Sequence, residues 1–145
     1  GSRALMSLRV EKGYGSWSRE YSPEYWPQEV GLDKLIKLEK EFLNKDSYLK
    51  IKNNPPREML SLIEVQEVSN ADATGGEPIF LPDGTPVGRV TSGTYGYSVE
   101  KSLALGYLKG VAPGTAVDVM ILGKPHRGVV LEKPPFDPTG ARLRA

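Results

Sequence analysis

Glycine and proline are spread so unevenly along this chain that each half is limited to a different kind of structure. Only 4 of the 16 glycines and 2 of the 12 prolines precede Asn53-Asn54-Pro55-Pro56, the proline pair being counted with the second half. Long helices do not tolerate the density of the second half. Proline removes a backbone donor and clashes with the preceding turn, and glycine weakens a helix interior. Short strands joined by tight turns accommodate both residues. The first half has room for helices, so a subdomain boundary is placed at the proline pair.

Within the first half, Arg3 to Lys12 is rich in helix formers, with Leu5, Leu8 and Glu11 spaced to share one face. Gly13 fits just past the C-terminus of such a helix. Ser22-Pro23-Glu24 has the form of a cap and first turn, which predicts a second short helix interrupted by Pro27. Leu32–Leu38 alternates as a strand does, and Phe42 to Lys52 reads as a helix. The initial Gly1-Ser2 reads as a cloning remnant.

In the second half, Met59 to Val68 is a strand candidate in which Leu60, Leu62 and Val65 are expected to point one way. Ile79-Phe80-Leu81 and Val87-Gly88-Arg89-Val90 flank Pro82-Asp83-Gly84. There proline presets the turn and glycine supplies a positive φ, so a hairpin is predicted. A glycine-enabled bend at Gly93 to Gly96 precedes a strand over Ser102 to Leu108. Further strands are expected over Ala116 to Leu122 and Arg127 to Glu132. Roughly five or six short strands at this spacing predict a small antiparallel barrel or sandwich.

Several function classes are excluded early. There is no cysteine, hence no disulfide, thiol nucleophile or Cys-ligated metal within this chain. The one histidine, His126, rules out a multi-histidine metal site and reads as a turn residue in Gly123–Arg127. Ser92, Ser98 and Ser102 have no nearby histidine, so no hydrolytic triad is assigned. A formal charge of +1 gives no field to attract nucleic acid. No run approaches the roughly 18 apolar residues of a membrane span. No complete catalytic set is present.

Three constellations remain, each with two readings. Glu11 presents a carboxylate, which can accept two parallel N–H bonds from an amide–amine edge such as a pterin carries. On its residues alone it reads first as an ordinary surface glutamate paired with Lys12 or Arg9. Tyr14, Trp17, Tyr21, Tyr25 and Trp26 either wall a flat-ring pocket or pack against another domain. Thr91 to Ser98 is either a binding loop or a bend between strands. It is not a phosphate loop, since its first two glycines are three apart and no Gly-Lys-Ser/Thr follows.

An ordered series of motifs adds to these readings. It runs Leu8-Arg9-Val10-Glu11-Lys12-Gly13-Tyr14 with Trp17, then Pro27-Gln28-Glu29-Val30-Gly31-Leu32, then Lys40-x-Phe42. It continues with Gly88-Arg89-Val90-Thr91-Ser92-Gly93-x-Tyr95-Gly96-Tyr97-Ser98, then Lys101-Ser102-Leu103-Ala104-Leu105-Gly106-Tyr107, then Pro135-Phe136-Asp137-Pro138. Together these resemble the C-terminal part of the glycine-cleavage T-protein (aminomethyltransferase) family. The Glu-Lys-Gly-Tyr and Tyr-Gly-Tyr-Ser forms are most similar to the folate-binding portion of dimethylglycine and sarcosine dehydrogenases. The resemblance covers essentially the whole chain.

The resemblance implies an α+β fold. Residues 3–54 would be the end of the folate-binding aminomethyltransferase domain, and residues 55–145 a small antiparallel C-terminal β-barrel. The implied chemistry moves a one-carbon unit from an amine onto tetrahydrofolate, with FAD in a separate domain outside this chain. Glu11 matches the family's pterin-binding glutamate, and Tyr14, Trp17, Tyr95 and Tyr97 are expected to line the same folate site. Implied partners are the N-terminal part of the same protein and a methylated amine, with neither nucleic acid nor membrane. The implied compartment is the cytoplasm, or the mitochondrial matrix in a eukaryote. The family's essential acidic residue near the reacting nitrogen lies upstream of this stretch, so the chain is not expected to turn over alone. A frequent Phe-x-Gly is Phe42-Leu43-Asn44 here, and a common Thr-Pro is Trp26-Pro27. The alternative of another class is a non-catalytic barrel that docks against a partner domain.

Overall fold

The computed structural model describes residues 1–68 and 71–145. Six antiparallel strands close into a barrel: β1 (Met59–Val65), β2 (Pro78–Phe80), β3 (Pro86–Gly96), β4 (Lys101–Leu108), β5 (Ala116–Ile121) and β6 (Lys124–Leu131). Their order around the barrel is β1-β4-β3-β2-β5-β6, and β6 pairs back onto β1. The expected choice between barrel and sandwich is thereby resolved. The 81–85 connection forms the expected hairpin turn, with Leu81 and Thr85 paired at 2.8 Å and Gly84 at φ +88°.

The interior is aliphatic. Ile63, Val65, Ile79, Val90, Ala104, Leu108, Val117, Val119 and Val130 are buried there. Full burial of each larger side chain stabilises the fold by roughly 1.5–3 kcal/mol. A second cluster lies outside the barrel wall, where Leu62, Leu103 and Leu105 meet Val10. This explains β4, which is buried on both faces from Ser102 to Leu108. Its inward residues fill the barrel, and its outward Leu103, Leu105 and Tyr107 are covered by residues from the first half. It also corrects the expectation for β1. Leu60 and Leu62 face the outer cluster, whereas Ile63 and Val65 face inward.

Helix α1 (Ser2–Glu11) supplies that cover. It ends as expected, with the Gly13 N–H on the Val10 carbonyl at 2.9 Å and the Tyr14 N–H on that of Arg9 at 2.8 Å. Gly13 has the φ of +70° that this closing motif requires. The buried face is not the apolar one. Ser7, Val10 and Glu11 are buried, while Leu5 and Leu8 are 66% and 59% exposed. Of the three residues spaced to share one face, only Glu11 is buried.

Four further expectations are corrected. No helix follows Ser22. The segment forms turns held by Arg57, whose guanidinium donates to the Glu24 carbonyl and the Glu29 carboxylate. Residues 32–38 contain a short 3-10 turn, Asp33–Leu35, because the barrel closes without offering them an edge. Helix α2 (Lys45–Ile51) starts later than expected, since Asn44 adopts a left-handed φ of +66°. His126 is a β6 residue opposite Val119 and not a turn residue.

Thr91 to Gly96 is the second half of β3, so it is neither a loop nor a bend. Gly93 is required there for a different reason. A Cβ at this position would collide with the backbone of Ala73, which crosses the strand.

Candidate functional site

Three glutamates are buried at the junction between the first half and the barrel: Glu11 at 1% exposure, Glu20 at 0% and Glu29 at 0%. A buried carboxylate is tolerated when its oxygens are hydrogen-bonded. How each one is satisfied separates structural glutamates from a functional candidate.

Glu29 is fully engaged. Arg57 donates through Nε to Oε1 at 2.8 Å and through a terminal nitrogen to Oε2 at 2.7 Å. The backbone N–H groups of Arg57 and Trp26 add bonds of 2.9 and 2.8 Å. The Arg57 fork outweighs burial and holds the Glu29 carboxyl down at about 2. Its own carbonyl accepts the Leu60 N–H at 2.8 Å, so this residue ties the first half to the start of β1.

Glu20 is engaged too. Burial pushes its carboxyl up, but donors more than offset this. Ser92 Oγ lies at 2.6 Å, the Ser16 N–H at 2.7 Å and the Arg9 guanidinium at 3.3 Å, and the group is held below the usual carboxylate range. Arg9 also donates to Ser92 Oγ at 2.6 Å, so α1, the 16–20 turn and β3 share one polar network. The Glu20 carbonyl accepts the Tyr107 hydroxyl at 2.6 Å. Tyr107 stacks on Tyr25 at 3.7 Å, and Tyr25 accepts a bond from Arg89.

Glu11 differs. Its Oε1 accepts the Ser7 hydroxyl at 2.9 Å and the Ser98 N–H at 3.3 Å. Its Oε2 is buried and has no hydrogen-bond partner among the described residues. The stem of Glu11 lies over Gly96, where a Cβ would come within 2.8 Å of its Cγ, so the glycine makes the space for it. Like Oε1 of Gln28, this oxygen is an acceptor to which no described residue brings a donor. It fits the amide–amine edge of a pterin, with a restriction. Two donors already reach Oε1, so Oε2 is the open acceptor.

The other residues expected at this site fall into two groups. The main chain of Tyr95 and Tyr97 is linked to Glu11 through Ser7. The Ser7 hydroxyl that bonds Glu11 also lies 3.0 Å from the Tyr95 carbonyl and accepts the Tyr97 N–H at 3.3 Å. The two rings meet edge to face at 5.1 Å, with Tyr97 76% exposed. Tyr14 and Trp17 are not brought to Glu11 by any hydrogen bond or ring contact among the described residues. Tyr14 lies beside Lys12, Pro134 and Asp137, where Lys12 pairs with Asp137 at 2.6 Å. Trp17 is 79% exposed and bridges to Tyr21.

Ser7 and the Ser98 backbone were missed by sequence reasoning. Ser7 had a legible signal, since it stands four residues before Glu11 on a helix, the spacing at which side chains meet. The Ser98 contact had none, because its donor is the main chain. Elsewhere an open groove of about 610 Å³ lies between residues 18–25 and 74–76, with Arg19 and Arg89 in its wall and none of the five expected residues lining it. No cluster of three metal-ligating side chains occurs among the described residues. No helix among them is long and apolar enough to cross a membrane.

A family model for the glycine cleavage T-protein C-terminal barrel domain matches residues 59–137. The chain is similar to mitochondrial dimethylglycine dehydrogenase of Mus musculus, at 34% identity over 99% of this chain and 17% of that protein. It is also similar to mitochondrial aminomethyltransferase of Mesembryanthemum crystallinum, at 34% identity over 96% of this chain and 35% of that protein. Among solved structures, glycine cleavage system aminomethyltransferase T from Bartonella henselae superposes with a TM-score of 0.80 at 25% identity, covering 93% of this chain and 38% of that one. The chain thus spans about a sixth of the first relative's length and about a third of the second's.

Proposed function

Because the chain belongs to the glycine cleavage T-protein C-terminal barrel family, we propose that it serves a folate-dependent one-carbon-transfer enzyme of the dimethylglycine dehydrogenase type and forms part of its tetrahydrofolate pocket. The observation that carries the proposal is the unpartnered, buried Oε2 of Glu11, set beside two glutamates of equal burial whose bonds are complete. Residues 3–54 are then the end of the folate-binding domain, and residues 55–145 the barrel that backs it.

Tetrahydrofolate, when bound, is the acceptor of the one-carbon unit released from a methylated amine. The chain's own part is to bind and orient. Glu11 accepts a pterin N–H, and the main chain of Tyr95 and Tyr97, joined to Glu11 through Ser7, supports it. Tyr14 and Trp17 stand apart from Glu11 and complete the proposed site. A flavin, if the enzyme is a dehydrogenase, belongs to the remainder of the protein, as does the acidic residue of the transfer step. On this reading the compartment is the mitochondrial matrix in a eukaryote and the cytoplasm otherwise.

Titration of the full-length protein with 5-formyl-tetrahydrofolate, followed by intrinsic fluorescence, tests this. Glu11→Ala is expected to weaken binding by roughly 1.5–3 kcal/mol, the worth of a hydrogen bond to a charged group. Equal affinity in both proteins removes Glu11 from the pocket.

A second reading is favoured by the outward apolar residues of the first half, among them Leu5, Leu8, Leu35 and Leu43. In it the chain is a docking module without folate contact. It predicts no folate binding by the full-length protein and a dependence of domain association on these leucines.

A further inference from the structure

Resting on the reading of Glu11 as the folate acceptor, we propose that Ser7 is a positioning residue for that site. Its hydroxyl holds the Glu11 carboxylate while the site is empty and turns to the Tyr95 carbonyl when a ligand presents paired N–H groups.

Ser7 has more acceptors within reach than protons to give them. It is 3% exposed, and its Oγ lies 2.9 Å from Glu11 Oε1 and 3.0 Å from the Tyr95 carbonyl oxygen. A hydroxyl has one proton, so it serves one of these acceptors at a time. It accepts the Tyr97 N–H at 3.3 Å in either orientation, and that bond fixes the oxygen while the proton is free to turn. Before a ligand arrives, the Glu11 carboxyl oxygen, the nearer of the two acceptors, takes the proton. Oε1 is then filled by Ser7 and the Ser98 N–H, and only Oε2 remains open.

A pterin edge offers two adjacent donors, and one open oxygen meets only one of them. Turning the Ser7 proton to the Tyr95 carbonyl frees a lone pair on Oε1 and leaves no buried hydroxyl unsatisfied. Glu11 then accepts the pair. A serine without the second acceptor would lose its bond on displacement, and that loss would oppose ligand binding. The same hydroxyl fixes the Glu11 rotamer from the preceding helical turn, so the carboxylate is aimed before the ligand arrives. Nothing in this arrangement requires Ser7 to touch the ligand.

The test is a double-mutant cycle in the full-length protein, with 5-formyl-tetrahydrofolate as the probe and thermal unfolding measured on each variant. Ser7→Ala is expected to weaken binding about tenfold, Ser7→Thr to restore it, and Ser7→Ala to have no further effect in a Glu11→Ala background. A Ser7→Ala loss of equal size in both backgrounds overturns the proposal, since Ser7 would then act on structure alone. Unchanged affinity in Ser7→Ala, alongside weakened Glu11→Ala, overturns it while leaving the folate reading intact. Unchanged affinity in Glu11→Ala removes both.

Discussion

The folded value of about 2 for Glu29, against an ordinary 4.5, makes one side chain a measurable part of the acid stability of the chain. The carboxylate is preferred in the folded state, so its contribution is complete above about pH 4.5 and is lost as pH falls toward 2. The shift corresponds to about 3 kcal/mol. Glu29→Gln is therefore expected to unfold in less urea at pH 7, with the gap from the unsubstituted chain shrinking at pH 3. A gap of constant size would assign the effect to packing. None of this was visible in the sequence, where Glu29 stood only within a motif. Its partner Arg57 is far along the chain, and an ion pair across that separation leaves no periodic trace. Glu11 was legible as a carboxylate at a helix end. Its burial was not, because burial depends on Gly96 and on β3 passing beneath α1.

At the scale of elements, the clearest sequence signals were those that fix a backbone angle locally. Pro82-Asp83-Gly84 encoded a turn, and Gly13 encoded the end of α1. Gly13→Ala tests the latter. A side chain at φ +70° costs about 1–2 kcal/mol, and its Cβ would stand 3.3 Å from that of Pro134. The expected result is a lower melting temperature with unchanged far-ultraviolet circular dichroism, since the helix persists and its closing turn is strained. Signals that depend on what covers a strand were unreadable. On β4, Leu103, Leu105 and Tyr107 are apolar on the outer face and Ala104 and Leu108 on the inner, so alternation vanishes. The same cover misled the reading of Leu62 and Val65. Thr91 to Gly96 read as a bend because its glycines were taken to serve chain reversal, whereas Gly93 serves the close passage of Ala73.

For the molecule as a whole, the barrel fills its own interior, whereas the first half covers one outer wall of it and leaves other apolar side chains exposed. Leu5 and Leu8 are largely exposed among the described residues. Replacing both with glutamate is expected to change the unfolding free energy of the chain by no more than about 0.5 kcal/mol, as read by urea titration. A large loss would show that these leucines support the fold described here. The β1–β6 pairing adds a consequence in time. The strand at Met59–Val65 receives one of its two partners only from Lys124–Leu131. During synthesis, β1 leaves the ribosome long before β6 exists, so the ring stays open until β6 has been translated. Until then β1 and β5 each hold a bare row of N–H and C=O groups, the templates on which neighbouring chains pair. The same closure that leaves the finished barrel without an edge makes its birth the interval in which it most needs a chaperone.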